Sequence, residues 1–154
     1  PAAAEVPAAL PAAPSPSSAA AERTARIGTI LYVEDNVANV RLMERILRRR
    51  PGIDLVHAAH AADVPARLAA RRPDVILLDL HLPDIAGDEV LRRLWADPNS
   101  RSIPKVMVTA DATPGLVSRL KAAGATACLT KPIDVAEVLR LIDGLFDAAE
   151  QSSR

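Results

Sequence analysis

From Ile27 onward, five short apolar runs alternate with segments of helical period, and four of these runs close on polar or charged residues. Ile30-Leu31-Tyr32-Val33 runs into Glu34-Asp35, and Val75-Ile76-Leu77-Leu78 into Asp79. Lys105-Val106-Met107-Val108 runs into Thr109, and Ala127-Cys128-Leu129-Thr130 into Lys131. Asp54 to Ala59 is a weaker fifth run. Near-continuous apolar runs of this length suit strands covered on both faces, as in parallel sheets. Strict strand-helix alternation predicts an α/β fold with a doubly wound five-stranded parallel sheet.

The helical segments carry their own punctuation. Val37 to Arg50 places Val40, Met43 and Leu47 on one face, with Arg41, Glu44, Arg45 and Arg48 on the other. Asn36 is placed as its N-cap, and Pro51-Gly52 as its stop. Arg48-Arg49-Arg50 is expected to be a solvated helix end, which suits the negative end of the helix dipole. Further helices are expected from Asp63 to Arg72, with Pro65 in the first turn, from Gly87 to Ala96, from Pro114 to Ala123 and from Val135 to Ala148. The opening stretch differs. It is nearly all Ala, Pro and Ser, with five of the 13 prolines by Pro16, and reads as a linker over residues 1–26. The folded unit is expected over residues 27–149, with a tail at 150–154. The chain opens on Pro1, which suggests processing or a piece of something longer.

Composition narrows the function. Of 154 residues 49% are apolar, enough for one core. Lysine plus arginine and aspartate plus glutamate number 19 each, so there is no overall basic footprint for nucleic acid. No apolar run approaches the roughly 20 residues of a membrane span. The single cysteine, Cys128, excludes an internal disulfide and fits a cytoplasmic setting.

In parallel sheets of this kind, ligands sit at the carboxyl ends of the strands. Those ends deliver Glu34, Asp35, Asp79, Thr109 and Lys131 to one edge. Three carboxylates held together coexist if a cation joins them or if one takes up a proton. An all-oxygen set suits hydrated Mg²⁺ with positions left for a phosphoryl oxygen. Lys131 is placed to pair with that oxygen or with Asp79, and Thr109 offers a hydroxyl donor. Asp79 is then the nucleophile of an aspartyl-phosphate chemistry.

The four segments Ile30 to Asn36, Leu77 to Pro83 with Gly87, Val108 to Ala110, and Leu129 to Pro132 together resemble a response-regulator receiver domain, in order and spacing. The resemblance covers Gly28 to about Ala149. It implies a flavodoxin-like fold with strand order 2-1-3-4-5, and Mg²⁺ (or Mn²⁺) held by Glu34, Asp35, Asp79 and the His81 backbone carbonyl. It also implies phosphorylation of Asp79, phosphoryl contacts from Thr109 and Lys131, and a cis Lys131-Pro132 bond. Receivers usually carry an aromatic switch residue three positions before the lysine. Cys128 stands there, which puts that coupling in doubt.

The style of Tyr32 to Asn36 and of Lys131 to Asp134 is similar to receivers fused behind histidine kinases. The expected context is therefore the carboxy-terminal receiver of a hybrid sensor histidine kinase, with a stand-alone regulator as the alternative. A degenerate receiver serving only as an interaction module is a remote third reading. The expected partner is a histidine kinase or histidine phosphotransfer domain, with no nucleic acid or membrane contact and a monomeric state. The fragment is not expected to be a kinase, since neither His57 nor His60 is followed by an acidic residue. It is expected to promote its own phosphorylation and dephosphorylation. His57 and His60 are expected at the surface or a strand edge. A flavodoxin-type cofactor binder is disfavoured, because Glu34-Asp35 occupies the place of a phosphate-cradling loop and neither GxGxxG nor GxxxxGK occurs.

Overall fold

The computed structural model describes residues 26–111 and 113–152. The expected linker up to residue 25 lies outside them. Five strands, β1 (Gly28–Val33), β2 (Ile53–Ala58), β3 (Val75–Asp79), β4 (Lys105–Thr109) and β5 (Ala127–Thr130), form one sheet. All pairings are parallel, as the strand-helix alternation predicts, and the order is β2-β1-β3-β4-β5, as the resemblance implies. The helices are α1 (Val37–Leu47), α2 (Val64–Ala70), α3 (Gly87–Ala96), α4 (Pro114–Ala122) and α5 (Val135–Ser152).

Strand alternation divides the core in two. Ile30, Tyr32, Leu77, Val106 and Val108 face α1 and α5, meeting Met43, Ile46, Ile142 and Phe146. Leu31, Val33, Ile76, Leu78 and Met107 face the opposite way, toward Val64, Leu91, Leu94 and Leu120. Successive residues of β1 and β3 thus serve different layers, which is why those strands read as unbroken apolar runs.

The boundaries correct the sequence reading in places. α1 ends at Leu47, short of the expected Arg50. Arg48 and Arg49 are exposed, but Arg50 is not a solvated helix end. It turns back onto α5, where Nε and Nη2 hold the two Asp143 carboxylate oxygens at 2.9 and 2.7 Å. Arg26, assigned to the linker, belongs with the fold. Its guanidinium donates to the Asp143 carbonyl at 2.7 Å and pairs with Asp147. α2 follows a 3₁₀ turn at Ala61–Asp63 and stops at Ala70, because the residue before Pro73 favours extended backbone. α5 runs on to Ser152, past the expected Ala148 and through the expected boundary at 150. Its added residues include Ala149, Glu150 and Gln151, which favour helix.

Lys105 opens β4 yet is only 1% exposed. Its ammonium donates to the carbonyls of Ser100, Arg101 and Ile103 at 2.8, 3.1 and 2.6 Å, and lies 4.8 Å from the centre of the Trp95 ring. Burial, reinforced by the nearby Arg72 charge, pushes its pKa down to about 8. The amine therefore still carries its proton at neutral pH and fastens the turn ahead of β4. Lys105→Met takes the amine from these carbonyls but also removes a charge that burial disfavours, so the net loss of stability should be about 1 kcal/mol. The expected fall in Tm is roughly 3–6 °C. An unchanged melt would show that the turn closes without this amine.

Candidate phosphoryl-acceptor site

The sheet order brings the ends of β1 and β3 side by side at the switch point, the place where ligands of such sheets bind. Ladder hydrogen bonds continue past the apolar runs and fix the polar residues there. The Glu34 N–H donates to the Ala58 carbonyl at 3.0 Å, Leu80 N–H to Val108 at 3.0 Å, and Lys131 N–H to Thr109 at 2.8 Å. Asn36 caps α1 as expected, its side chain accepting from the Ala38 N–H at 2.9 Å. Gly87 lets α3 start directly against β3, since a Cβ there would stand 2.3 Å from the Asp79 carbonyl oxygen. The Lys131-Pro132 bond is cis, as the resemblance implies.

All five predicted side chains come to this edge. Glu34, Asp35 and Asp79 each offer a carboxylate oxygen, and these oxygens lie within 4.8 Å of one another. Glu34 and Asp79 are buried, while Asp35 stands exposed at the lip. The Lys131 ammonium sits 3.0 Å from Glu34 Oε2 and 3.4 Å from Asp79 Oδ2. Thr109 is buried, and its hydroxyl oxygen accepts from the Asp111 N–H at 3.0 Å. Asp111 Oδ1 in turn accepts from Thr113 N–H at 3.0 Å, so Thr109 leads directly to the start of α4. His81 is exposed, and its N–H donates to Asp79 Oδ1 at 3.2 Å.

The electrostatics separate the two buried carboxylates. Burial disfavours the Glu34 charge. The Lys131 hydrogen bond, the Asn36 N–H, the Lys131 charge and the Tyr32 hydroxyl together outweigh that, so its pKa falls below the ordinary value. Asp79 moves the other way. Burial raises its pKa and the Glu34 charge adds to the rise, against the His81 N–H and Lys131. Burial alone would lower Lys131, but its contacts with Glu34 and Asp79 hold it above the usual value. The cluster of hard oxygen donors fits a divalent cation such as Mg²⁺, which would relieve the repulsion between the two carboxylates.

Several contacts at this edge are not in the sequence reading. The Tyr32 hydroxyl donates to Glu34 Oε2 at 3.1 Å. Residues two apart on a strand share a face, so Tyr32 could have been placed beside Glu34 from spacing alone. His57 lies on edge strand β2 as expected, but its Nε2 is 2.7 Å from the Glu34 carbonyl oxygen and so donates to it. Asp84 accepts from the Ala61 and Ala62 N–H groups at 3.1 and 3.0 Å, tying the loop after β3 to the one after β2. Cys128 is half-buried against the face that α2, α3 and α4 cover, and burial pushes its thiol up, against the Lys121 charge.

Comparison with known proteins agrees with this geometry. The response regulator receiver domain family matches residues 30–143. The polar-differentiation response regulator DivK of Brucella anthropi is 33% identical over 114 residues, spanning 74% of this chain and 92% of that protein. The receiver domain of sensor histidine kinase PA1611 from Pseudomonas aeruginosa PAO1, solved with a magnesium ion coordinated in its active site cleft, is 31% identical. Its match covers 78% of this chain and 98% of that one, with a TM-score of 0.69. The signal receiver domain of a DNA binding response regulator from Colwellia psychrerythraea 34H is 26% identical over the same 78% of this chain and 98% of its own, with a TM-score of 0.73. With the family matched over most of the chain and the acidic edge in its place on the sheet, this chain belongs to the response regulator receiver domain family of two-component signalling.

Proposed function

We propose that the chain accepts a phosphoryl group on Asp79 from a phosphohistidine of a histidine kinase or a histidine phosphotransfer domain. The observation that carries this is the meeting of Lys131 and a three-carboxylate cluster at Asp79, the only carboxylate ending the central apolar strand. Glu34, Asp35, Asp79 and the His81 carbonyl would hold Mg²⁺ or Mn²⁺. Bound there, the cation would offset the negative charge that otherwise repels a phosphoryl dianion. The magnesium ion of the Pseudomonas receiver supports this assignment.

In the transfer, an Asp79 carboxylate oxygen attacks phosphorus as the bond from phosphorus to the donor imidazole nitrogen breaks. The electron pair returns to that nitrogen, which takes a proton from solvent. Lys131 and the Thr109 hydroxyl donate to the phosphoryl oxygens. As Thr109 turns inward, its link to Asp111 draws on the loop before α4. Cys128 has no ring to follow, so the rearrangement stays near that loop. The same groups would favour the reverse attack of water, making the domain a promoter of its own dephosphorylation.

The preferred context is the carboxy-terminal receiver of a hybrid sensor histidine kinase, a reading supported by the likeness to a sensor-kinase receiver. The stand-alone alternative is supported by DivK, most of whose length the chain matches. Cytoplasmic location and a monomeric state belong to the same proposal. Among the described residues, no helix is long and apolar enough to cross a membrane.

A transfer time course tests the reading. A histidine phosphotransfer domain carrying labelled phosphohistidine should lose its label to this chain in the presence of Mg²⁺. Label that stays on the donor, with acetyl phosphate also failing as a phosphodonor, would favour a module that only binds partners.

A further inference from the structure

Glu34 Oε2 is the most heavily used acceptor at the strand ends. It takes hydrogen bonds from both the Tyr32 hydroxyl at 3.1 Å and the Lys131 ammonium at 3.0 Å. The other oxygen, Oε1, accepts from the Asn36 N–H at 3.1 Å. The glutamate is 1% exposed, so solvent cannot readily replace a lost donor. Lys131 is thus shared between Glu34 and Asp79, and an incoming phosphoryl oxygen draws its ammonium away from Glu34 Oε2. A buried carboxylate oxygen left without its donor is strongly unfavourable. Tyr32 is the group that prevents this. Its ring is 0% exposed in the layer under α1 and α5, and its hydroxyl ends on the oxygen that the lysine would vacate.

We propose that Tyr32 is a positioning residue for phosphoryl transfer: its hydroxyl holds Glu34 in place while Lys131 crosses to the phosphoryl group. The proposal rests on the reading of Asp79 as the acceptor, and goes beyond it by giving a core tyrosine a role in the transfer. The aromatic body is packing. The hydroxyl alone carries the proposed role, so Tyr32→Phe separates the two.

The test uses the full chain. Labelling of the wild type by acetyl phosphate with Mg²⁺ comes first, since failure there overturns the acceptor reading itself. Tyr32→Phe is compared at Mg²⁺ raised until the rate no longer climbs, so that any loss of Mg²⁺ affinity through Glu34 is separated from the transfer step. The labelling rate at saturating Mg²⁺ should fall about tenfold, equivalent to about 1.4 kcal/mol in the barrier. A hydroxyl with only a structural role would shift the melt and leave that rate unchanged, which would overturn the proposal.

A second measurement does not depend on Tyr32→Phe folding. Tyr32 is the only tyrosine in the chain, so its ring ζ-carbon resonance is identified without ambiguity. That resonance should move when beryllofluoride and Mg²⁺ saturate the site, and move in the same direction in metal-free Lys131→Ala. Both conditions weaken or remove the Lys131 bond to Oε2 and leave the Tyr32 hydroxyl there. A resonance unmoved in both would overturn the proposal.

Discussion

Asp79→Asn should take up no phosphoryl group from acetyl phosphate and Mg²⁺, and should at the same time be more stable than the wild type in metal-free buffer. The first effect follows from the loss of the nucleophilic oxygen. No other carboxylate ends the central strand, and Asp35 stands exposed at the lip of the cluster. The second follows from the charge distribution. Burial and the Glu34 charge raise the Asp79 pKa in the folded chain. A carboxyl whose folded pKa is raised favours folding below its ordinary value, and that contribution disappears as pH rises through the folded value. Above that point the ionised Asp79 weakens the fold, and an uncharged amide of nearly the same shape removes the penalty. The expected gain is about 1 kcal/mol at neutral pH, or roughly 3–6 °C in Tm, shrinking toward acid pH. Mass spectrometry reads the first effect and thermal melts at two pH values read the second. Undiminished labelling would sink the acceptor assignment; a less stable variant would show that the two carboxylates do not repel.

Excess chelator should abolish phosphorylation, and Asp35→Ala, which removes a ligand itself, should weaken Mg²⁺ binding by at least the roughly 10- to 100-fold that loss of an outer-shell partner costs. Asp35 is one of three carboxylates whose oxygens gather within 4.8 Å, and it is the one that reaches solvent. Removing it takes away a hard oxygen donor and a unit of negative charge, with no core to disturb. The variant should therefore fold normally and recover labelling at high Mg²⁺. Titration with Mg²⁺, followed by the rate of labelling, separates weakened metal binding from damaged chemistry. Equal labelling with and without chelator would mean that Lys131 and backbone groups alone neutralise the phosphoryl charge.

The sequence revealed most where one residue type has one physical use. Val75 to Leu78 cannot be other than buried, so Asp79 marks the end of the core, and β3 occupies the place expected of it. The same logic located Glu34, Thr109 and Lys131, because each follows an apolar run. It was weaker where a side chain serves a distant part of the chain. Arg50 looks like the end of a basic helix, and its partner Asp143 lies 93 residues away. Lys105 looks like a polar strand start, and is buried because the turn from Ser100 to Ile103 aims three carbonyls at its amine. Tyr32 counts as apolar in any strand pattern, and its hydroxyl matters only because strand alternation sets it beneath Glu34. Helix ends were least legible: α1 stops before Arg50, which turns back to Asp143, and α5 runs on through residues that favour helix.

Reduction of the phosphorylated wild-type chain with borohydride tests the central claim most directly. The reagent converts an acyl phosphate on aspartate to homoserine and leaves free carboxylates intact, so the modified position is read from peptide masses. After acetyl phosphate and Mg²⁺ treatment, homoserine should appear at position 79 and nowhere else. Homoserine at position 35, or labelled protein that yields none, would contradict the assignment of Asp79 as the acceptor.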